Sequence, residues 1–202
     1  MTRTEIIQGL IDKYGFKSYL EIGVQNKANN FNKIRCETKL CVDPDTNAQA
    51  DCIMTSDEYF ENSEQIFDVI FIDGLHEEEQ VIDDINNSLR HLSYNGFIVV
   101  HDCLPLTEEM QIVPRISKQW TGDTWKAIVR FRERTDIQIA TVNTDFGCGI
   151  ISKGSQKKLN RIAELNWAGY CLNKDQWLNV ISVDKFKQFL NEQYTYRLPV
   201  PA

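Results

Sequence analysis

Hydrophobic positions in this chain fall into two rhythms that alternate along its length. Near the start, Ile6, Ile7, Leu10, Ile11 and Tyr14 recur at helical intervals and stop at Gly15, with Thr2 and Glu5 at capping-box spacing ahead of them. Short apolar runs bounded by turn residues follow: SYLEIG (18–23), KLCVD (39–43), ADCIMT (50–55), FDVIFID (67–73) and GFIVVHD (96–102). Such runs fit strands buried on both faces, as in a parallel sheet. Between them, Thr55 and Glu58 again have capping-box spacing before Tyr59 and Phe60, and Val81, Ile85, Leu89 and Leu92 make a helical stripe that Asn95 and Gly96 end. Strands alternating with helices predict right-handed crossovers and a doubly wound α/β sheet.

The later chain changes character. A helix over Thr124 to Arg134 leads to IQIATV (137–142), the turn-like NTDFG and CGIIS (148–152), which together read as a terminal antiparallel hairpin. Beyond Gly154 the pattern is helical and aromatic, with Trp167, Tyr170, Trp177, Phe186 and Phe189, ending in an irregular LPVPA tail. The expected organisation is a Rossmann-like unit over residues 1–154, with 155–202 as a helical C-terminal extension of the same domain.

Composition narrows the partners. The chain has 202 residues and a net charge of −7, with acids and bases interspersed and no basic stripe to track phosphates, so nucleic acid and anionic membranes are poor partners. Six cysteines lie scattered without a CxxC pair, and no charged start with an apolar segment precedes the first helix. Reduced thiols in a cytoplasmic protein are expected. No apolar run approaches the roughly 20 residues that span a bilayer.

Ligands of open α/β sheets sit outside the carboxyl ends of the strands, so the residues that end each run are the informative ones. The first run ends in Glu21, Ile22 and Gly23, where a glycine lets backbone approach a ligand; alone it could be an ordinary tight turn. The second ends in Asp43, about 20 residues on, where a carboxylate can accept from ribose hydroxyls. Asp43 before Pro44 could also be a plain turn-former, and it is the pairing that points to a nucleoside-containing cofactor. Asp73 and Asp102 close neighbouring runs and would face one crevice. Two hard oxygen ligands suit Mg²⁺ or Ca²⁺ better than zinc, for which His101 finds no partner at the familiar spacing.

YLEIGV, CVDPD, TSDEYF, FDVIFIDGLHEEEQV and GFIVVHDC together resemble class I S-adenosylmethionine-dependent methyltransferases over about residues 15 to 152. The Asp-Gly-x-His at 73–76 is similar to the branch of macrocin-type sugar O-methyltransferases. The resemblance implies a seven-stranded sheet with an antiparallel last strand. It implies too that Glu21 and Gly23 lie under the methionine part of the cofactor, Asp43 at its ribose, and Ser56 and Asp57 beside its adenine. The first motif of that family carries two or three glycines, whereas EIGVQNKANN has only Gly23; Asn26, Asn29 or Asn30 are expected to supply positive φ instead.

Metal-dependent O-methyltransferases of the catechol type resemble the arrangement at the next two strand ends. Mapped here, Asp73 and Asp102 are the metal ligands and His76 the base, with Cys103 standing where an amide ligand is usual. A metal would lower the proton affinity of an acceptor hydroxyl, His76 would take its proton, and the oxygen would attack the sulfonium methyl. Asp73 could instead simply cap the next helix, whose start Glu77 to Glu79 favour electrostatically. His101 either contacts substrate or satisfies a buried hydrogen bond, and His91 reads as a helix-end residue. Trp125, Lys126 and Arg130 could line an acceptor pocket, although Trp125 at helical spacing with Ile128 and Val129 fits a core position better. The C-terminal aromatics either close over the site or form a homodimer face.

The sequence therefore predicts a methyltransferase acting on a hydroxyl of a sugar or other small polar metabolite, with S-adenosylmethionine as cofactor and with or without the help of Mg²⁺. Two rivals stand beside it. One is a degenerate, non-catalytic cofactor-binding module, which the thinned glycine motif favours; the other is an NAD-dependent oxidoreductase, which would carry a fuller GxGxxG.

Overall fold

The first helix, α1 (Arg3–Tyr14), begins at the capping box that the sequence carries: the Thr2 side chain accepts from the Glu5 N–H, and the Glu5 carboxylate accepts from the Thr2 N–H at 2.7 Å. It ends at Gly15, whose φ of 65° is the left-handed stop that glycine adopts most readily. The structure is a computed structural model describing residues 1–192 and 198–199; of the LPVPA tail, residues 200–202 lie outside the described residues, as do 193–197.

Seven strands build one sheet: β1 (Ser18–Ile22), β2 (Thr38–Val42), β3 (Phe67–Ile72), β4 (Leu92–Val100), β5 (Ile137–Val142), β6 (Cys148–Lys153) and β7 (Val180–Ile181). The other helices are α2 (Ser56–Asn62), α3 (Glu78–Arg90), α4 (Thr124–Phe131), α5 (Trp167–Trp177) and α6 (Val183–Asn191). The strand order is β2-β1-β3-β4-β6-β5-β7, and β6 alone runs against the rest. This is a Rossmann-like, doubly wound sheet, and the hairpin of β5 and β6 pairs from Ile137 with Lys153 to Val142 with Cys148.

Several expected elements differ: α3 stops at Arg90, so Leu92, Asn95 and Gly96 belong to β4 rather than to the helix and its end, and α4 stops at Phe131, short of Arg134. ADCIMT is not a strand; it makes one parallel bridge, Val42 to Cys52. The Asp51 carboxylate, rather than a backbone carbonyl, accepts from the Cys41 N–H at 3.1 Å, so a side chain ends the ladder before Thr55 caps α2. The seventh strand comes instead from the opposite edge, where β7 pairs with β5 in parallel. The C-terminal region is accordingly not helical throughout: 155–166 has no regular structure, and β7 separates α5 from α6.

Strand residues alternate between two buried layers, as the two-residue period of a strand requires. Leu20, Ile22, Ile70, Ile72, Ile98 and Val100 pack with α2, α3 and α4, while Tyr19, Val69, Phe71, Phe97 and Val99 pack with α1 and α6. With both faces covered, only strand ends are free to meet a ligand. Register aligns those ends: Ile22 pairs with Val42 and with Ile72, and Ile72 pairs with Val100. Gly23, Asp43, Asp73 and the His101–Asp102 pair therefore stand in one row. Among the described residues, no helix is long and apolar enough to cross a membrane.

Candidate active site

Strand β1 lies where the strand order reverses, and Gly23 follows it with φ 80°. A Cβ there would sit 2.3 Å from the Asp73 carbonyl oxygen and 2.4 Å from Gly74 Cα, so the ends of β1 and β3 can close together only over a glycine. The next left-handed residue is Gln25, with φ 51°; none of Asn26, Asn29 or Asn30 has positive φ. The cause is Asp43, whose Oδ2 accepts from both the Val24 and the Gln25 N–H at 2.8 Å and so holds the turn at that point. Asp43 Oδ1 also accepts from the Asp45 N–H at 2.8 Å. The expected ribose acid is thus mainly the clasp of the glycine-poor loop, with acceptor capacity left for a further partner.

These residues line a cavity of about 700 Å³. On its floor Glu21 is 2% exposed, accepts from the Asn30 amide at 2.9 Å and meets the Tyr19 hydroxyl. Burial pushes its carboxyl up to about 7, against the two hydrogen bonds, which pull it down. At one end Ser56 and Asp57, in the first turn of α2, face Gln80 and the buried Asp84 of α3. Burial raises Asp84 to about 6.

At the ends of β3 and β4 the wall consists of charge. His76 Nε2 lies 3.3 Å from Asp73 Oδ1, and His76 Nδ1 lies 3.3 Å from Asp102 Oδ2. Behind them His101, 5% exposed, points Nδ1 at Asp73 Oδ1 (3.1 Å) and Asp102 Oδ1 (3.3 Å). Its Nε2 lies 3.2 Å from Arg3 Nη1 and 3.6 Å from Asp145 Oδ1. Burial alone would lower both histidines, but the surrounding carboxylates outweigh it: His76 is raised, and His101 well above its ordinary range. Asp73 is held far below the usual carboxylate range, because the two histidines overcome its burial. Asp102 itself has φ 58°, a conformation that Asp tolerates better than most residues.

Two members of this cluster were not among the sequence candidates. Asp145 comes from the β5–β6 turn, where the strand-end rule applied to the hairpin would have placed it. Arg3 comes from α1, and its backbone N–H donates to Asp145 Oδ2 at 2.8 Å; nothing in its local sequence marks it. The outer wall is the 110–121 loop, with Met110, Arg115, Lys118 and Trp120. The Trp120 ring stacks on His76 at 5.4 Å. Gly122 backs this contact: a Cβ on it would fall 1.7 Å from the His76 carbonyl oxygen.

Other expectations resolve plainly. Trp125 is a core residue, fully buried against Tyr170 and Trp177. Lys126 and Arg130 do not reach the cavity; they pair with Asp123 and Glu78. His91 caps α3, with Nδ1 3.0 Å from the Gln65 carbonyl. Glu77 to Glu79 start that helix, although its N-terminal amide is capped from a distance, by Asp123 Oδ1 on the Glu78 N–H at 2.7 Å. Asp73 does not cap it.

Residues 28–103 match the family model of a methyltransferase domain. A search of curated proteins finds no match. Among solved structures, an SAH-bound methyltransferase from Podospora anserina superposes with a TM-score of 0.56 at 16% identity, covering 76% of this chain and 78% of that one. An O-methyltransferase from Bacillus cereus in complex with SAH gives 0.54 at 13% identity, over 75% and 80%. An O-methyltransferase of tomaymycin synthesis from Streptomyces achromogenes, in complex with SAM, gives 0.54 at 10%, over 75% and 79%. At such identities these likenesses establish the fold.

Proposed function

We propose that this protein is an S-adenosylmethionine-dependent O-methyltransferase acting on a hydroxyl of a small polar molecule, with a sugar hydroxyl as the first class to try. The carrying observation is the convergence of Gly23, Asp43, Asp73, His76 and Asp102 on one cavity at the switch point of this fold. When bound, the cofactor supplies an electrophilic methyl on a sulfonium; a new O–CH₃ bond replaces the S–CH₃ bond and leaves the thioether.

The chain's own residues do the rest. Gly23 and the loop clasped by Asp43 admit the cofactor backbone, and Glu21 meets its ammonium from below. Ser56, Asp57 and Asp84 flank the adenine end. His76 takes the acceptor's proton: its ring lies on the cavity wall, and Asp73 and Asp102 stabilise the imidazolium that results. The free ring is reached above the usual histidine range, so turnover rises on the alkaline side. His101 does not face the acceptor as openly; with Arg3 and Asp145 it fixes the two aspartates, which makes it a positioning residue.

A divalent ion fits here. Asp73, His76 and Asp102 each offer one ligand atom within 4.8 Å of the others, and the buried His76 Nδ1 has no well-aligned hydrogen bond. Asp73 and Asp102 would hold the ion, and its charge would lower the proton affinity of the acceptor hydroxyl. Two carboxylates and an imidazole also suit Mn²⁺ or Zn²⁺.

Calorimetry with SAH and with NAD, each with and without Mg²⁺ or Mn²⁺, tests the reading. SAH should bind and NAD should not. Binding of NAD alone would replace the reading with an oxidoreductase, and binding of neither would remove the cofactor.

A further inference from the structure

We propose that the acceptor carries an anionic group, phosphate or carboxylate, which Arg115 and Lys118 hold at the outer wall while its hydroxyl lies at His76. This rests on the methyltransferase reading and names the substrate class within it.

The cavity's charges are segregated. Six carboxylates line it, Glu21, Asp43, Asp57, Asp73, Asp84 and Asp102, and all belong to the strand ends, α2 and α3. Three permanent cations line it, of which Arg3 is committed to Asp73 and Asp145. Arg115 and Lys118 are the other two. Among the described residues neither has a carboxylate within ion-pair distance. In a chain of net charge −7, two cations without an ion-pair partner on one wall of this cavity are a local reversal of sign.

The wall is built rather than loose. Thr121 and Gly122 donate their N–H groups to the Met110 carbonyl at 2.9 and 3.1 Å, and Trp120 Nε1 donates to the Ile112 carbonyl at 2.8 Å. Arg115 Nε donates to the Ser117 carbonyl at 2.9 Å and its Nη2 to the Lys118 carbonyl, which ties the two cationic positions to each other. Carbonyls orient the guanidinium without neutralising it. Its carbon lies 5.7 Å from the centre of the Trp120 ring, and that same ring stacks on His76. One continuous surface thus leads from the cations to the base.

A neutral hydroxyl compound gives these charges no partner. An acceptor whose anion sat deeper would have to compete with Asp73, Asp102 and Asp145, which already engage Arg3, His76 and His101. Placing the anion at Arg115 and Lys118 satisfies both and turns the other end of the molecule toward His76. Because both cations are exposed, the gain is modest and weakens with salt.

Matched probes test this on the SAH-loaded protein: glucose 1-phosphate against glucose, 3,4-dihydroxybenzoate against catechol, and inorganic phosphate alone, each titrated calorimetrically into wild type and the R115Q/K118Q double variant. The anionic member of at least one pair should bind roughly tenfold more tightly, and the double substitution should erase that preference while leaving SAH affinity unchanged. The pair that responds distinguishes phosphate from carboxylate. No preference in either pair, or a preference that survives the double substitution, overturns the inference while the methyltransferase reading stands on its SAH binding. If SAH does not bind, that reading falls, and the same titrations on the free protein still decide whether the two cations capture an anion.

Discussion

At the end of β1 the cavity wall is backbone, whereas at the ends of β3 and β4 it is charge. Around Gly23 the chain passes so close to Asp73 and Gly74 that no side chain fits, and Asp43 spends most of its carboxylate on the loop's own amides. Around His76 and His101, by contrast, Asp73, Asp102 and Asp145 surround two rings, and removing one partner leaves others in place. The first half has no slack, because hard-core overlap cannot be shared out. The second has redundancy, because electrostatic attraction adds over several groups.

The largest effect should therefore come from the smallest residue. Gly23→Ala puts a methyl 2.3 Å from a carbonyl oxygen at φ 80°, so the ends of β1 and β3 must part. A cost of about 3 kcal/mol or more is expected, lowering Tm by on the order of 10 °C, with SAH binding lost. Gly15→Ala is the control: φ is 65°, but nothing lies within 4 Å of the new Cβ. It should cost only about 1 kcal/mol, with SAH affinity intact. Equal effects of the two in thermal melts and calorimetry would show that conformation, not close approach, sets the requirement at Gly23.

His76→Ala probes the charged half. Turnover should fall roughly 10²-fold with SAH affinity unchanged, since the ring contacts the acceptor side and Trp120 rather than the cofactor loop. Metal content measured on the same variant separates two roles: if His76 is a base, any ion held by Asp73 and Asp102 would stay, and if it is a ligand, that ion would be lost with it. Unchanged turnover would remove His76 from the chemistry altogether.

How much of this was legible in the sequence follows from the same contrast. Strand ends are written locally, in an apolar run that stops at a polar residue, so Glu21, Gly23, Asp43, Asp73 and Asp102 could be read one by one. Their partners are written elsewhere. Arg3 reaches His101 across 98 positions and Asp145 reaches Arg3 across 142. The periodicity that placed α1 and the hairpin says nothing of how their ends meet. ADCIMT failed as a strand for a related reason: its apolar content fits, but the Asp51 side chain takes the Cys41 amide that a ladder needs. Residues 110–121, which carry Arg115, Lys118 and Trp120, have no periodic pattern, so the outer wall leaves no sequence signal, whereas the basic residues that do follow a helical pattern, Lys126 and Arg130 of α4, pair with Asp123 and Glu78.

Glu21 joins the two halves, being a charge held inside the backbone-built part, and its effect appears only as the pH rises. Its carboxyl is raised from 4.5 to about 7 by burial. For such a group the folded state binds the proton more tightly than the unfolded chain, so its stabilising contribution is complete below pH 4.5 and lost as pH rises through 7. Above that, the buried anion costs on the order of 3 kcal/mol. Glu21→Gln removes this cost, so the variant should melt several degrees above wild type at pH 8, with the gap closing toward pH 5. Binding should move the other way. If Glu21 meets the cofactor's ammonium, wild-type affinity for SAH rises between pH 6 and 8 as the carboxylate forms, and the Gln variant binds weakly with no such slope. A wild-type affinity that ignores pH, or a Gln variant that binds as well as wild type, would make Glu21 a purely structural acid and leave the backbone half of the cavity to hold the cofactor by shape alone.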